Sequence, residues 1–439
     1  MSKKGKILFF IFCLAAAVLL VVTAAVASNV PERLIRPDSD GYLAPARALS
    51  ENLSYPTTVR PPGYPVLAAL IYACGGSNTA LAFTGILIAA GACGVIGFAA
   101  RKYTGDSRIA ALAVLLTGFN ITMIANAPLL LSDTLFFLFA AWQFWWFAGF
   151  WRDSGIPALW GCAFTAALGV LIRPINILFI IPLIVLVLVH EKLLFRKKII
   201  ASVVAAGIFF AVITPWMFRN YSAGMTFSID TNTGAMRHQN GAMLMAEVNG
   251  TDFESEKKRL LKEESEMIFP DAGSRERWRI AEFRKMVERH PFIYLKQHFD
   301  WQILLPDAPT FLENFGMTSA NRGTMGVLKK SGILAAVRYY FGENYLMILF
   351  ALLPLLAITL LLYAGMFGKL VTDAVNFRSN WRELIIFLAF CEYYLFLPGA
   401  ITAPRYQLPA LPFMSTLAAC ALIGLWDKIR GFRDLKSKN

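Results

Sequence analysis

The chain has 439 residues, of which 57% are hydrophobic and only 16% are charged, a balance that excludes an ordinary water-soluble globular protein. A mean hydropathy of +0.54 indicates that the lipid bilayer is its main solvent. The formal net charge is +13, but the basic residues recur in short segments between apolar runs. Membrane topology therefore accounts for the charge, and no nucleic-acid partner is expected.

Apolar runs of about 17 to 24 residues recur along the chain, and each can cross roughly 30 Å of hydrocarbon as a helix that satisfies its own backbone groups. The first run follows a basic start that resembles a signal peptide, but it is long enough to span, and we interpret it as a retained anchor. The sequence predicts about ten transmembrane helices, over residues 7–27, 78–100, 109–126, 128–150, 156–172, 175–190, 199–217, 345–365, 384–401 and 406–426.

The basic residues between the predicted helices indicate their orientation. If the helices alternate in direction, the cations at 3–6, 101–108, 192–198, 369–382 and 427–439 all fall on one side. By the positive-inside rule, that side is the cytoplasm. We therefore expect an integral multi-pass protein of the bacterial inner (plasma) membrane, with both termini in the cytoplasm and the active site facing outside.

This orientation divides the chain into four parts. They are a transmembrane core at 1–220 with a catalytic first external loop at 28–77, a helical loop outside the cytoplasm at 221–344, C-terminal transmembrane helices at 345–426, and a basic cytoplasmic tail at 427–439. Residues 40–53 have the pattern of a helix lying on the membrane surface. The segment Arg60-Pro-Pro-Gly-Tyr-Pro65 is predicted as a rigid turn, because proline fixes the backbone.

Ionisable residues also lie at the outer ends of the predicted helices, where topology alone does not call for them. Such groups are costly at membrane depth and usually face a cavity or a partner. Arginine suits phosphate recognition, and carboxylates suit acid–base chemistry. Interfacial anchoring and interhelical ion pairing remain the alternative for each arginine, and a helix-dipole role remains the alternative for Asp133. The residues concerned are Asp38, Asp40, Arg60, Asp133, Arg173, Arg219 and Arg405.

These motifs resemble those of the polytopic glycosyltransferases of the GT-C fold. The similarity is strongest to bacterial relatives of the dolichyl-phosphate-mannose protein mannosyltransferases (glycosyltransferase family 39) and of the lipid A aminoarabinose transferase. The matching segments are Asp38-Ser-Asp-Gly-Tyr42, Arg60-Pro-Pro, Ser132-Asp133-Thr-Leu-Phe136, His290-Pro291 and Arg405-Tyr406. The family's Asp-Glu pair is Asp38-Ser39 here, and only a short tail follows the last predicted span, so protein mannosylation is not implied.

The resemblance implies an all-α membrane protein with a GT-C-type bundle of about ten transmembrane helices, and an external loop that carries juxtamembrane helices. It also implies an inverting transfer of a sugar from a polyprenyl-phosphate-linked donor to a non-cytoplasmic acceptor, which is a lipid-linked glycan, a lipid or a protein. An aspartate of the first loop would be the catalytic base, and Asp38 and Asp40 both remain open for that role. Asp133 would bind the acceptor or the sugar.

The remaining roles follow from the same resemblance. Arg60, Arg219 and Arg405 would bind the donor phosphate, and Tyr42, Tyr64, Arg173 and Tyr406 would line the substrate cavity. The six cysteines and four histidines lack the paired spacing of a metal site, so no cofactor is assigned. A divalent metal shared by Asp38 and Asp133 stays open.

A flippase or transporter of a lipid-linked sugar is the competing interpretation, since it also needs a cationic cavity for a lipid headgroup. Transporters, however, place ionisable residues or broken helices near the bilayer midplane and often have repeated halves. In this sequence the candidate residues cluster at one rim of the predicted bundle. That distribution favours an enzyme.

Overall fold

The structure of the chain is a computed structural model, and it describes residues 31–316, 324–341 and 345–436. Within these ranges the chain is helical and forms no β-strand, so the predicted all-α membrane fold class is confirmed. The first external loop forms two short helices, α1 (Asp40–Asn52) and α2 (Gly63–Ala73). They pack through Tyr42 and Tyr64, whose rings meet edge to face with centroids 5.5 Å apart.

Gly63 fixes the start of α2 against the transmembrane core. A Cβ atom at this position would lie 2.6 Å from the side chain of Ile172, so only glycine allows the close approach. The backbone N–H of Gly63 donates a hydrogen bond to the carbonyl of Leu171 at 2.7 Å. This contact holds the turn that carries Arg60 beside the segment that carries Arg173.

The N-terminal half of the bundle is built around one phenylalanine-rich helix. The helices are α3 (Asn78–Thr104), α4 (Ser107–Gly118), α5 (Ile121–Asn126), α6 (Asp133–Asp153), α7 (Ile156–Val170), α8 (Ile180–Val189) and α9 (Phe195–Ser222). On α6, Phe137, Phe144 and Phe147 are buried in the main apolar core. Because this core holds α6 on several sides, Asp133 at its first residue has a fixed position.

Helices of the second external segment cover one end of the bundle, and four further helices complete the membrane part. The former are α10 (Asn240–Asn249), α11 (Phe253–Ser265), α12 (Ala272–Arg289), α13 (Pro291–Gln297), α14 (Ala308–Asn314) and α15 (Thr324–Phe341). The latter are α16 (Tyr345–Val375), α17 (Phe377–Phe387), α18 (Tyr393–Phe396) and α19 (Leu411–Lys436). The backbone N–H of Thr231 donates to the carbonyl of Thr58 at 2.9 Å, which joins the second external segment to the first loop.

Five of the predicted spans are confirmed as helices that are long and apolar enough to cross a membrane. They are Asn78–Thr104, Asp133–Asp153, Phe195–Ser222, Tyr345–Val375 and Pro404–Gly431. The predicted span 7–27 lies outside the described residues. The remaining four are shorter or interrupted in the structure.

The interruptions have local causes. The predicted single span 109–126 is wrong, because α4 ends at Gly118 and the side-chain oxygen of Asn120 accepts the N–H of Met123 at 3.0 Å to cap α5. Residues 156–172 and 175–190 give the 15-residue α7 and the ten-residue α8, which a 3₁₀ turn at Pro174–Phe179 precedes. The predicted span 384–401 is divided by a π-helical turn at Leu388–Glu392.

A buried hydrogen-bond network connects α6, α7, α18 and the 3₁₀ turn at Pro174–Phe179. Tyr394 donates to the side-chain oxygen of Asn176 at 2.8 Å and accepts from the Nε2 atom of Gln143 at 3.1 Å. Asn176 Nδ2 donates to the carbonyl of Ala166 at 2.7 Å. These uncharged partners satisfy one another, so the network fixes the helices that carry the site at their ends.

Candidate active site

A cavity of about 600 Å³ opens at one end of the bundle, where the first external loop, the start of α6 and the start of the last span meet. Both acidic and basic side chains line it, although the surrounding core is apolar. The lining residues include Asp38, Tyr42, Arg60, Asp133, Phe136, Arg173, Asp230, Asn232, Met236, Gln239, Asn240, Arg405 and Tyr406. Residues from both ends of the chain therefore contribute to one site.

Asp38 is held between two arginines of the cavity. Its Oδ1 atom lies 3.1 Å from Nη2 of Arg60, and its Oδ2 atom lies 2.8 Å from Nη2 of Arg405. Burial alone would raise the pKa of the Asp38 carboxyl, but the two guanidinium groups outweigh it and lower the pKa below the ordinary value. Asp38 is therefore ionised at neutral pH and neutralised by both partners.

Asp133 forms a second, more deeply buried ion pair. It is 5% exposed and pairs with Nη1 of Arg173. Arg405 Nε lies 4.0 Å from Oδ1 of Asp133, so the Arg405 guanidinium stands between the two carboxylates of the site. The position of Asp133 follows from sequence, because it opens α6 where the anionic side chain faces the positive end of the helix dipole.

Aromatic rings support the guanidinium groups from behind. Arg60 lies over the ring of Tyr42 with its Cζ atom 4.6 Å from the centroid, and Arg173 and Arg405 lie over Tyr406 at 5.1 and 5.4 Å. Such stacking orients a guanidinium plane without using its donors. The Nε atoms of Arg60 and Arg405 are buried and have no hydrogen-bond partner within the described part of the chain. These two donors remain available to an anion.

Three of the predicted site residues lie outside the cavity lining. Asp40 is exposed at the first residue of α1, and Tyr64 is buried behind Tyr42. The guanidinium of Arg219 hydrogen-bonds to the backbone of the first loop. It donates to the carbonyl of Tyr55, and its Nη1 atom donates to the carbonyl of Thr57 at 2.9 Å. The functional roles assigned to these residues stay predictions.

The cavity also has a polar wall that the sequence interpretation missed. Asp230, Asn232, Gln239 and Asn240 lie along one side of it, directly after the long helix α9. Charged groups at the ends of apolar helices stand out in a sequence, whereas amide side chains in a polar segment do not. The available signal was the run of polar residues around Asp230, immediately downstream of a predicted span.

The residues present do not fit a metal shared by Asp38 and Asp133. The cationic guanidinium of Arg405 already occupies the space between the two carboxylates, at 2.8 Å from one and 4.0 Å from the other. Across the described ranges, no group of three or more His, Cys, Asp or Glu side chains is arranged to hold a metal ion.

Comparison with known proteins identifies the type of fold. Residues 59–218 match the sequence profile of the dolichyl-phosphate-mannose-protein mannosyltransferase family. The archaeal oligosaccharyltransferase AglB from Archaeoglobus fulgidus, solved with an inhibitory peptide and a dolichol-phosphate, is similar with a TM-score of 0.50 and 14% identity over 97% of this chain and 52% of that chain. ArnT from Cupriavidus metallidurans, bound to undecaprenyl phosphate, gives a TM-score of 0.46 and 17% identity over 92% of this chain and 60% of that chain.

The chain thus spans between about half and three fifths of the length of these two proteins. No curated protein sequence matches it. The profile match includes Arg60, Asp133 and Arg173 of the cavity, and the fold shared with AglB confirms the predicted resemblance to the GT-C type.

Proposed function

We propose that this chain, a multi-pass membrane protein of the GT-C fold whose residues 59–218 match the mannosyltransferase family, is an inverting glycosyltransferase. It moves a sugar from a polyprenyl-phosphate-linked donor to an acceptor on the non-cytoplasmic side. The acceptor is a lipid-linked glycan, a lipid or a protein. The observation that carries the proposal is the pairing of Asp38 in the cavity with Arg60 and Arg405, each of which has a buried Nε donor without a partner among the described residues.

Arg60 and Arg405 suit the phosphate of the donor. Each has a buried Nε donor without a partner among the described residues, and each guanidinium is already oriented by an aromatic ring. Guanidinium groups bind phosphate through paired, charge-assisted hydrogen bonds, and they stabilise the charge that grows on the phosphate as the glycosidic bond breaks. The oligosaccharyltransferase that shares this fold was solved with a dolichol-phosphate, which supports a donor of the same class.

Donor binding would also change the state of Asp38. In the free protein both of its oxygens are paired with Arg60 and Arg405, and a carboxylate so stabilised is a weak base. A phosphate that takes the same guanidinium groups releases Asp38 from them. The pKa of the released carboxylate then rises towards its ordinary value, so the base becomes stronger when the donor is in place.

The transfer itself is a single displacement. The hydroxyl oxygen of the acceptor forms a bond to the anomeric carbon of the sugar, while the bond from that carbon to the phosphate oxygen breaks. The electron pair of the broken bond stays on the polyprenyl phosphate, held by Arg60 and Arg405. The proton of the acceptor passes to the Asp38 carboxylate. Attack opposite the leaving group inverts the anomeric centre.

Asp133 and the polar wall would bind hydroxyl groups of the sugar or of the acceptor. Asp133 is held in place by its ion pair with Arg173, while Asn232, Gln239 and Asn240 offer amide donors and acceptors across the cavity. Asp40, which lies exposed outside the cavity, is not part of this proposal.

The test compares the glycans of cells that express the wild-type chain, Asp38→Asn or the matched control Asp40→Asn. Mass spectrometry of lipid-linked and surface glycans should show one sugar missing in Asp38→Asn, with the polyprenyl-phosphate sugar accumulating, because a transfer without its base slows at least about 100-fold. Asp40→Asn should keep the wild-type profile. If both variants retain the full profile while the protein folds, Asp38 is not the base.

A second arm separates transfer from lipid transport. Vesicles that contain the purified chain and a donor already facing the cavity should still form product, since an enzyme acts on that substrate and a flippase has nothing to move. Absence of product there, together with donor movement across the bilayer in cells, would favour the transporter.

A further inference from the structure

A second cavity lies at the end of the bundle opposite the active-site cavity. It has a volume of about 570 Å³ and is lined by Phe98, Arg101, Lys102, Trp145 and Arg152 of α3 and α6. Asp133 and Arg152 lie on the same helix and are 19 residues apart, which is about 28 Å at the rise of an α-helix. The two cavities therefore face opposite surfaces of a membrane about 30 Å thick.

This second cavity is cationic and lacks an anion from the protein. No carboxylate in the described ranges lies within 4.0 Å of a side-chain nitrogen of Arg101, Lys102 or Arg152, whereas the neighbouring Arg108 pairs with two aspartates. Arg152 Nη1 donates instead to the carbonyl of Lys102 at 3.1 Å, which ties the end of α6 to the end of α3. The cluster is thus held together while its charge remains uncompensated.

The positions of the cations are supported by local packing. The Lys102 ammonium lies 5.5 Å from the ring centroid of Trp145. Gly149 on α6 lies next to this ammonium, since a Cβ atom there would approach Lys102 Nζ to 2.8 Å. The side chain of Lys102 therefore runs along α6 between Trp145 and Gly149.

The apolar part of the lining indicates what kind of anion would bind. Phe98 is 62% exposed on the outer surface of α3, one turn towards the centre of the membrane from Lys102, and Trp145 lies beside it. An inorganic anion would make no favourable contact with this apolar surface. A lipid, in contrast, can pack its acyl chain against the aromatic rings while its phosphate contacts the cations. We propose that this cavity binds the headgroup of an anionic membrane phospholipid, with the acyl chain packed along Phe98.

The experiment measures lipid binding to the purified full-length chain in detergent by native mass spectrometry, with phosphatidylglycerol and phosphatidylcholine as probes. The test variant is Lys102→Gln/Arg152→Gln. The matched control, Arg196→Gln/Lys197→Gln, removes the same number of charges from exposed positions in the first turn of α9, on the same end of the bundle. All proteins are first checked for a single folded species by size-exclusion chromatography.

We expect wild type and control to bind phosphatidylglycerol at about tenfold lower concentration than phosphatidylcholine, and the test variant to lose this preference. Equal losses in the test and control variants would show unspecific attraction and overturn the proposal. Displacement of the lipid by millimolar inorganic phosphate would also overturn it, in favour of a free-anion site. If the double variant does not fold, Lys102→Gln alone replaces it, because that side chain is only partly buried over Trp145.

Discussion

The guanidinium of Arg405 lies between Asp38 and Asp133, two carboxylates that are 95 residues apart in the sequence. Asp38 pairs with Arg60 and Arg405, whereas Asp133 pairs with Arg173. A substrate phosphate that competes for Arg405 changes the environment of Asp38 more than that of Asp133, because Arg173 still holds Asp133. The two carboxylates are therefore suited to different tasks, a titrating base and a fixed contact.

The pH dependence of the reaction tests this division of roles. The arginines hold the pKa of Asp38 below its ordinary value in the free protein. The value of kcat/KM should therefore fall only at strongly acidic pH, where Asp38 takes up a proton. Donor phosphate weakens these pairs and raises the pKa, so the acidic limb of kcat should lie at higher pH than that of kcat/KM. Both profiles follow from initial rates measured across pH.

The variant Arg405→Gln provides the internal control for this prediction. It removes one partner of Asp38, so the acidic limb of kcat/KM should move towards higher pH. The control substitution Arg47→Gln, at an exposed position of α1, should leave both limbs unchanged. Coincident limbs in the wild type would mean that the donor does not displace Asp38 from its arginines.

At the residue scale, the sequence predicted which charged residues line the cavity better than it predicted which groups each of them contacts. Asp38, Arg60, Asp133, Arg173 and Arg405 line the cavity, and they were found because a charge at the end of an apolar helix is costly without a purpose. The same criterion also selected Arg219. Arg219 donates to two backbone carbonyls of the first loop and to the side-chain oxygen of Asn220, and the backbone partners leave no signal in the sequence.

The elements differ in how directly their sequences predict them. A long uninterrupted apolar run predicts one spanning helix, as at Asn78–Thr104, where Ser77 caps the start and Gly105 ends the helix with φ of +80°. A run of similar hydropathy fails at 109–126, because the cap at Asn120 and the break after Gly118 weigh little in an average over the window. Polar caps inside apolar runs decide the boundaries that hydropathy cannot.

The external helices α11 and α12 depend on one buried carboxylate, Glu264. It is 3% exposed, and it accepts from Nε of Arg275 at 2.6 Å, from Nε of Arg279 at 2.8 Å and from Nε2 of His238 at 2.8 Å. Burial alone would raise its pKa, but the hydrogen bonds from Arg279 and Arg275 outweigh this and lower the pKa of Glu264 to about 2. His238 precedes Gln239 of the polar wall, so this cluster also fixes one side of the cavity.

Glu264→Gln should destabilise the external helices by about 2 kcal/mol, because it removes the buried anion that accepts hydrogen bonds from Arg275 and Arg279. In the wild type the stabilisation is fully present above the ordinary pKa of about 4.5 and should be lost as the pH falls towards 2. Hydrogen exchange of α11 and α12 measures both effects. Glu288→Gln, which removes an exposed pair with Arg284, should change protection by no more than about 0.5 kcal/mol; an equal loss in both variants would contradict the assignment.

At the scale of the whole molecule, the two ends of the bundle differ in the charged residues that line their cavities. The active-site cavity combines three arginines and three aspartates, whereas Arg101, Lys102 and Arg152 at the other end have no acidic partner in the described chain. The general plan, apolar helices with a charged external site and a basic opposite side, was predictable because it follows from the bilayer as solvent. The meeting of residues 38, 60, 133 and 405 at one cavity required the fold, since no local pattern joins them.

The orientation in the membrane is the whole-molecule prediction that joins these two ends. If the basic end faces the cytoplasm, a cysteine in place of Lys258 on α11 lies outside, and one in place of Lys197 lies inside; both positions are exposed in the structure. In a background without native cysteines, a membrane-impermeant maleimide added to intact cells should label Lys258→Cys and should label Lys197→Cys only after permeabilisation. The opposite pattern would place the active-site cavity in the cytoplasm. Nucleotide-linked sugars are present in the cytoplasm, so a site that faces this compartment would not require a lipid-linked donor.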